Sequence, residues 1–258
     1  MAHLYAGLIA CILNILAVPL IILVARRRAW FDSINERKIH TGQIPRLGGV
    51  GIFWSFFLTL LFVALLSKGA AQDALAYWPV GVGMLIVHLV GLMDDFRDLR
   101  AKLKFLAHLA AAILVAAAGY RFRAIYVPWM GTVELGWFSY PLTVFWIVGV
   151  INALNMIDGM DGLSGGISII GAFALGLILL ETGGGIPALA AIALVGSLAG
   201  YLFYNFPPAK IFMGDSGSTF LVLPWPCYHF WIRGVLAASG SGTVLRSSCY
   251  QSLMSLPP

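Results

Sequence analysis

Long apolar stretches alternate with short polar segments along most of the chain. A helix that crosses a lipid bilayer needs about 20 consecutive, mostly apolar residues. Seven stretches approach that length, and an eighth begins near Thr219. The seven are residues 4–24, 50–66, 77–93, 103–119, 142–157, 163–180 and 186–204. The pattern therefore predicts an all-α, polytopic integral membrane protein with about eight transmembrane helices.

One polar insertion, residues 152–162, lies between two of these stretches and contains two Asn and two Asp residues. Asn152, Asn155 and Asp158 are spaced three apart, which places them on one slowly turning stripe of a helix. Asp158 and Asp161 are each followed by glycine, which readily adopts left-handed backbone angles and ends a helix. The insertion is either a polar cap and turn or a ligand-binding site. Two Asn side chains so close to hydrocarbon favour the site.

Composition supports a membrane location. Hydrophobic residues make up 60% of the chain and charged residues only 10%, whereas a soluble domain carries about 25% charged residues. The three Cys residues form no spaced pair, so neither a disulfide framework nor a zinc site is indicated. Arg26, Arg27 and Arg28 follow the first apolar stretch, whereas a signal peptide carries its basic residues before one. That stretch is therefore expected to be an uncleaved helix.

Lys and Arg residues set the predicted orientation, because short cytoplasmic loops are enriched in them. Segment 26–47 holds six basic residues and is assigned to the cytoplasm, with the N-terminus outside. Alternation of the spans puts three further segments on the same face: 94–102, 158–162 and 205–218. The acidic clusters then meet at one composite cytoplasmic site. Segment 120–141 is placed outside, although it holds two Arg residues, and a short β-hairpin is predicted over 122–135.

Asp94, Asp95 and Asp98 close the third apolar stretch. In a continuing helix, residues three and four apart lie on one side, so the sequence predicts stacked carboxylates. Repulsion between them favours a bound cation, and Mg²⁺ prefers carboxylate and phosphate oxygens. The alternative is a set of interfacial acids paired with Arg97 and Arg100. Three acids at one membrane helix end favour the cation site.

Segment 205–218 opens the eighth stretch with Asp215, Ser216 and Ser218, which are all frequent N-cap types. A helix start flanked by glycine also exposes backbone N–H groups to an anion such as phosphate. Asp215 either caps this helix or holds a metal ion, and the neighbouring acidic turns favour the metal.

Basic residues of the cytoplasmic segments are candidates to bind phosphate groups of a lipid or a nucleotide. Alternatively, they only enforce topology and touch anionic head groups. The candidates are Arg37, Lys38, His40, Arg46, Lys102 and Lys104. The sequence contains no GxxxxGK[ST] phosphate-binding motif, and it supports no Ser/His/Asp or Cys/His catalytic arrangement. The other His residues are expected to be packed or interfacial.

Four motifs resemble those of the polyprenyl-phosphate N-acetylhexosamine-1-phosphate transferases of glycosyltransferase family 4. They occur in the family's order: Arg37-Lys-x-His with Ile44-Pro-Arg-Leu-Gly-Gly49, Asp94-Asp95-x-x-Asp98, Asn152-x-x-Asn-x-x-Asp-Gly-x-Asp-Gly-Leu163, and Asn205-Phe-Pro-Pro-Ala-Lys-Ile-Phe-Met-Gly-Asp-Ser-Gly217. The last motif and Asp98 are more similar to the WecA/TagO branch, which uses UDP-GlcNAc. The related MraY branch uses UDP-MurNAc-pentapeptide.

The resemblance implies a reaction at the cytoplasmic face of a bacterial inner membrane. Undecaprenyl phosphate attacks the β-phosphorus of a UDP-sugar, UMP leaves, and a lipid-linked sugar pyrophosphate forms. GlcNAc-1-phosphate is the implied group, and Mg²⁺ is the implied cofactor, with Mn²⁺ as an alternative. The product starts a cell-envelope polysaccharide such as lipopolysaccharide or teichoic acid. A homodimer is the implied assembly, and no nucleic acid partner is implied.

The resemblance also implies residue roles. Asp215 corresponds to a metal ligand. Asp94 and Asp95 correspond to the acidic pair that activates the lipid phosphate or helps hold the metal, and Lys104 to a basic position near the phosphates. Four residues correspond to positions around the nucleotide and pyrophosphate: Asn152, Asn155, Asp158 and Asp161. Asp158 is also a candidate catalytic residue. Three residues of the first motif are candidate substrate contacts: Arg37, Lys38 and His40.

The chain departs from the family pattern after residue 223. Family members are longer and carry a His-rich cytoplasmic motif that is absent here. Segment 224–258 contains Pro224, Pro226 and Arg233 where apolar residues are expected, and it has no Asp or Glu. We therefore interpret 1–223 as an incomplete transferase domain and 224–258 as an atypical tail that follows a frameshift near codon 223.

Two further hypotheses stay open. An inactive, truncated relative is consistent with the tail alone. An ion or solute transporter would carry acids near the bilayer midplane and internal sequence repeats.

Overall fold

A computed structural model describes residues 2–31, 44–66, 74–181, 183 and 185–222. The described residues form seven long helices, and each coincides with one of the seven predicted spans. They are α1 (Ala2–Arg27), α2 (Gly48–Leu66), α3 (Trp78–Arg97), α4 (Ala101–Ala117), α5 (Ser139–Ile157), α6 (Leu163–Glu181) and α7 (Gly185–Asn205). Six are long and apolar enough to cross a membrane, and α4, with 17 residues, is shorter. The prediction of an all-α, polytopic membrane fold is confirmed.

The eighth predicted span is described only at its start. A single helical turn, α8 (Asp215–Ser218), precedes a 3₁₀ turn at Phe220–Val222, and every residue of both turns is buried. The rest of that span lies outside the described residues. So does segment 224–258, for which a frameshift is predicted.

A short β-hairpin connects α4 to α5. Strand β1 (Ala124–Val127) pairs antiparallel with β2 (Gly131–Glu134), and Val127 lies opposite Gly131. Gly131 has a φ of +79°, a left-handed conformation that glycine adopts without strain. The hairpin predicted within 122–135 is confirmed. It follows the far end of α4, so it lies at the opposite end of the bundle from the α3–α4 turn.

Helix α7 packs between α1, α2 and α6 at the centre of the bundle. Small residues let these helices approach closely, as in many membrane helix pairs. A Cβ on Gly200 of α7 would lie 2.6 Å from the Cys11 carbonyl oxygen of α1. A Cβ on Gly176 of α6 would lie 2.9 Å from Cδ1 of Ile192. This packing fixes the end of α7, from which the chain runs through the loop 206–214 to α8.

Helix α8 packs against α2 and α3. Gly91 of α3 faces it so closely that a Cβ there would lie 2.5 Å from the Asp215 carbonyl oxygen. Gly49 of α2 likewise lies directly against the Gly217 backbone. Glycine at both positions allows a short polar turn to enter the bundle. It enters at the end where α3 carries its two aspartates.

Candidate active site

Four connecting segments meet at one end of the helix bundle. Backbone pairing joins the start of α2 to the loop before α8: Gly48 N donates to Phe212 O over 2.9 Å, and Gly49 N donates to Met213 O over 2.8 Å. Phe212 N donates in turn to Pro45 O over 2.9 Å. The α3–α4 turn and the α5–α6 turn reach the same region through the side chains described below. The structure thus brings the described parts of the predicted polar turns together.

The α5–α6 turn is tied to the loop before α8 by two side chains. Asn205 accepts a hydrogen bond from Gly162 N over 2.9 Å and donates one to Ile211 O over 2.8 Å. Asp161 accepts one from Ala209 N over 3.1 Å. Asp161 is therefore engaged in holding two loops together. Its implied contact with substrate stays a prediction.

A compact charge cluster lies at the centre of this end of the bundle. Lys104 Nζ donates to Asp94 Oδ2 over 3.0 Å and to Asp215 Oδ2 over 2.7 Å. Arg46 Nη2 lies 3.5 Å from the other oxygen of Asp215. The two carboxylate side chains are 8% and 9% exposed, whereas Lys104 and Arg46 are 26% and 32% exposed. The two acids are therefore buried, whereas the two cations that pair with them are partly exposed.

Asp95 faces a different part of the site from Asp94. Its Oδ1 accepts a hydrogen bond from Asp215 N over 2.8 Å, and its Oδ2 accepts one from Ser216 N over 3.0 Å. A carboxylate that accepts the first N–H groups of a helix satisfies donors that have no partner within the helix. Asp95 thus caps α8. The sequence predicts Asp215 either as the cap of this helix or as a metal ligand, and the structure gives the capping role to Asp95.

Asp98 does not join the other two carboxylates, so the predicted stack of three is wrong. Helix α3 ends at Arg97, and Asp98 is its C-cap with a left-handed φ of 44°. Its side chain is exposed. The stack required the helix to continue for another turn. The adjacent residues Asp94 and Asp95 instead diverge by about 100° around the helix.

The predicted stripe of Asn152, Asn155 and Asp158 is only partly directed at the cluster. Asn155 Nδ2 donates to Ser218 Oγ of α8 over 3.1 Å. Asp158, the C-cap of α5, accepts a hydrogen bond from Ser164 over 2.5 Å. Asn152 is exposed and donates to Val148 O of its own helix over 2.7 Å. A spacing of three residues drifts by about 60° each time, which separates Asn152 from Asp158.

Burial and neighbouring charges perturb two of these carboxyl groups in opposite directions. Burial raises the pKa of Asp158 to about 7, and the negative charges of Asp215 and Asp95 act in the same direction. Burial also acts to raise the pKa of Asp215, but the hydrogen bond and charge of Lys104 outweigh it and hold this pKa below its usual value. The site therefore combines the Asp215 carboxylate, whose pKa is held low, with a nearby Asp158 carboxyl group whose pKa is about 7.

The residues fit a divalent cation in the manner usual for Mg²⁺. The described part of the chain contains no group of three or more His, Cys, Asp or Glu residues arranged to hold a metal. However, Asp94 and Asp215 converge on one position that a cation, the Lys104 ammonium, already stabilises. Protein-bound Mg²⁺ commonly uses one or two carboxylates together with water and substrate phosphates. The donor set thus suits a cation that is completed by a phosphorylated substrate.

A polar cavity of about 240 Å³ opens beside the cluster. Arg46, Asp95 and Asp98 line it together with an edge-to-face aromatic pair, Trp30 and Phe96, whose ring centroids are 5.0 Å apart. The cavity lies between the end of α1 and the end of α3. Space for a small polar group is therefore available next to Arg46 and Asp95.

Part of this network was predictable from the sequence. Arg37, Lys38 and His40 lie outside the described residues. The sequence predicts Arg46 only as a phosphate-binding or topology residue, and it indicates Asn205 only as the start of a motif. The sequence signal for both is their position at the end of an apolar stretch: Arg46 lies two residues before α2, and Asn205 is the last residue of α7.

The sequence matches the family described as "Glycosyl transferase family 4" over residues 77–224. It is 37% identical over 223 residues to a probable undecaprenyl-phosphate N-acetylglucosaminyl 1-phosphate transferase of Bacillus subtilis, which covers 86% of this chain and 61% of that protein. It is 32% identical over 252 residues to a decaprenyl-phosphate N-acetylglucosaminephosphotransferase of Mycobacterium leprae. That alignment covers 92% of this chain and 63% of the relative.

A third relative belongs to a different branch. The chain is 31% identical over 227 residues to a phospho-N-acetylmuramoyl-pentapeptide-transferase of Listeria innocua, which covers 81% of this chain and 69% of that protein. The chain thus spans a little over 60% of the length of the first two relatives. The match includes α3 to α8, the elements that carry most of the charge cluster.

Proposed function

Because the chain belongs to glycosyl transferase family 4, we propose that it transfers an N-acetylhexosamine 1-phosphate group from a UDP-sugar to a polyprenyl phosphate. The observation that carries the proposal is the ammonium of Lys104 held between Asp94 and Asp215 at the end of membrane helices. A site at that position is accessible to a lipid phosphate from the bilayer and to a nucleotide from the aqueous side.

The proposed chemistry forms one P–O bond and breaks another. An oxygen of the lipid phosphate attacks the β-phosphorus of the UDP-sugar. The bond from this phosphorus to the bridging oxygen breaks, and UMP leaves with that oxygen. Lys104 and Arg46 would bind the phosphate oxygens, because charge-assisted hydrogen bonds to phosphate are strong. Positioning and charge neutralisation supply most of the rate in reactions of this type.

Mg²⁺ is the proposed cofactor, held by Asp215 with Asp94, and Mn²⁺ is the alternative. When bound, the ion would neutralise charge on the pyrophosphate. The resemblance offers Asp94 and Asp95 for activation of the lipid phosphate; Asp94 is the better placed, because Asp95 is engaged with α8. Asp158 and Asn155 lie on the α5 side of the cluster, which we assign to the nucleotide.

GlcNAc is the proposed sugar, and undecaprenyl phosphate is the proposed acceptor. The names of the Bacillus and Mycobacterium relatives support the sugar. The muramoyl-pentapeptide group is the second candidate, supported by the Listeria relative. We propose a bacterial inner membrane location with the site facing the cytoplasm, which these relatives and the basic residues that end α1 support. The homodimer stays a prediction.

The position of the acids argues against a transporter. Such a protein would carry them near the middle of its spans. In the described part of the chain, Asp94 and Asp95 lie in the last turn of α3, and Asp158 and Asp161 lie in the turn after α5. This arrangement supports chemistry at the membrane surface.

The test is an assay of the purified chain with UDP-GlcNAc, undecaprenyl phosphate and Mg²⁺, scored for UMP release. We expect release that stops when EDTA is added or Asp215 is replaced by Asn. UDP-MurNAc-pentapeptide in place of UDP-GlcNAc distinguishes the two candidate sugars. The Bacillus relative serves as the positive control. Absence of release from both sugars while that relative is active would support the inactive-relative hypothesis and contradict the proposal.

A further inference from the structure

One face of α3 holds the backbone of the α8 turn. His88, Gly91 and Asp95 are spaced three and four apart, so they lie on the same side of the helix. Each of them contacts the backbone of Asp215 or Ser216. We propose that these three residues, termed the α3 clamp, position the Asp215 carboxylate. Asp95 is then a positioning residue, although it stands beside Asp94 in the same acidic motif.

Both oxygens of the Asp95 carboxylate accept hydrogen bonds from this backbone. One oxygen accepts the N–H of Asp215 over 2.8 Å, and the other accepts the N–H of Ser216 over 3.0 Å. Hydrogen bonds from N–H groups to a charged acceptor are about twice as strong as neutral ones. Asp94 differs, because it directs Oδ2 toward the Lys104 ammonium. Two adjacent carboxylates thus have two distinct tasks.

His88 contacts the same turn from its carbonyl side. Its Nδ1 lies 2.8 Å from Ser216 O, and because a carbonyl only accepts, Nδ1 must carry the proton. The ring is stacked on Phe53 with centroids 3.9 Å apart, and it meets Phe220 edge-on. His88 is 2% exposed, so it has no access to a substrate. Its contacts fix the ring and aim its donor at α8.

Two glycines close the clamp sterically. A Cβ on Gly91 would lie 2.5 Å from the Asp215 carbonyl oxygen, and one on Gly214 would lie 2.6 Å from Oδ2 of Asp95. Gly214 also has a φ of +74°, which favours glycine. The backbone of Asp215 therefore has little freedom to shift along α3. Its side chain is left to meet Lys104 and Arg46.

Amide hydrogen exchange tests the clamp without any assumption about activity. Asp95→Leu removes both acceptors, and Asp95→Asn keeps one oxygen. We expect exchange at the Asp215 and Ser216 amides to rise about 10- to 100-fold in D95L, and by less in D95N. Asp94→Asn, the same chemical change at the neighbouring residue, should leave these two amides within about twofold of wild type. Unchanged exchange in D95L would overturn the proposal.

A second pair of variants keeps the test decisive if the Asp95 variants fail to fold. His88→Asn places an amide N–H near the position of Nδ1, whereas His88→Leu provides no donor. We expect the amides around Ser216 to exchange at the wild-type rate in H88N and about 10-fold faster in H88L. Equal protection in H88N and H88L would show that the His88 contact does not hold the turn.

The activity measurement rests on the proposed function. Across wild type, D95N, D95L, H88N and H88L, we expect the turnover number to fall in the same order as amide protection. A D95N protein that loses all turnover while both amides keep wild-type protection would make Asp95 a reacting group and overturn its positioning role. Absence of turnover in the wild-type chain would contradict the proposed function instead, and the exchange data would still decide on the clamp.

Discussion

Lys104 Nζ donates a 2.7 Å hydrogen bond to Asp215 Oδ2, although the two residues are 111 positions apart in the chain. The same ammonium lies 3.0 Å from Asp94. It therefore neutralises two buried carboxylates that would otherwise repel each other. A cation at this position therefore stabilises the fold, and in the proposed function the same ammonium would bind a substrate phosphate. The stability of the fold and the proposed phosphate binding thus depend on the same nitrogen atom, Nζ of Lys104.

Removal of the Lys104 charge should damage both properties. Lys104→Met leaves two buried carboxylates without their shared partner. Because Lys104 is 26% exposed, we expect about 1–3 kcal/mol of destabilisation, less than the loss of a fully buried pair would cause. Turnover should fall about 10²- to 10³-fold. Thermal unfolding in detergent and UMP release measure the two effects.

The exposed Lys102 provides the matched control for this change. Lys102→Met should leave stability within about 0.5 kcal/mol of wild type. If the proposed site binds Mg²⁺, added Mg²⁺ should stabilise K104M more than wild type, since both carboxylates of Asp94 and Asp215 are then free of Lys104. An equal response of K104M and wild type to Mg²⁺ would contradict a cation site at Asp94 and Asp215.

The pKa of Asp158 predicts a pH dependence of stability. Burial raises this pKa from 3.8 to about 7, so the folded state binds the proton more tightly than the unfolded state does. The stability that protonated Asp158 contributes is complete below pH 3.8 and is lost as the pH rises towards 7. About 4 kcal/mol is the upper bound for this loss. Unfolding of the metal-free protein between pH 5 and 8 should therefore show falling stability.

Asp158→Asn should make this pH profile shallower, because the amide group does not titrate. Ser164→Ala should act in the opposite direction. It removes a hydrogen bond that lowers the pKa of Asp158, so the loss of stability should extend to higher pH. A profile of D158N as steep as that of wild type would assign the pH dependence to other groups.

The helices and the common location of the acids were predictable from sequence for simple reasons. Apolar stretch length marks each span, and helix alternation then forces Asp94 and Asp215 to one end of the bundle. The hairpin followed from its alternation around Gly131. None of these inferences needs a tertiary contact.

The directions of the side chains were not predictable in the same way. The prediction for Asp98 is wrong because the sequence did not locate the end of α3. The helix ends at Arg97, where Asp98 adopts a left-handed C-cap conformation. Asp95 finds its partners 120 positions away, in a turn that enters the bundle only because of Gly49 and Gly91. Such contacts depend on how helices pack, and the spacing of residues along one helix does not contain that information.

Close packing between α1 and α7 should be sensitive to a single methyl group. A Cβ on Gly200 would lie 2.6 Å from Cys11 O and 2.9 Å from Cβ of Asn14. Gly200→Ala should therefore destabilise the protein by about 1–3 kcal/mol through overpacking. Gly149 in α5 is the matched control, since, apart from its chain neighbours and its own helix backbone, no atom of the described residues lies within 4 Å of its Cβ position. Gly149→Ala should be neutral or stabilising by up to about 1 kcal/mol. Equal thermal unfolding of the two variants would contradict the close helix contact.

Substitutions of Asn152 and Asn155, two residues of α5, should affect stability and substrate binding differently. Asn152 is exposed and bonds only to Val148 O in the contacts described for its side chain, so Asn152→Ala should change stability by less than about 0.5 kcal/mol. If Asn152 contacts the nucleotide, as the resemblance implies, N152A should raise the KM for UDP-GlcNAc about 10-fold.

Asn155 should behave differently, because it also donates to Ser218 Oγ of α8. Asn155→Ala should lower the unfolding free energy by about 1 kcal/mol and should lower the turnover number as well. Calorimetric or fluorescence-detected unfolding, measured beside initial rates over a range of UDP-GlcNAc concentrations, separates the two patterns. An N152A protein with unchanged KM would remove Asn152 from the substrate site, and loss of stability in N152A would show that its exposed side chain has a structural partner.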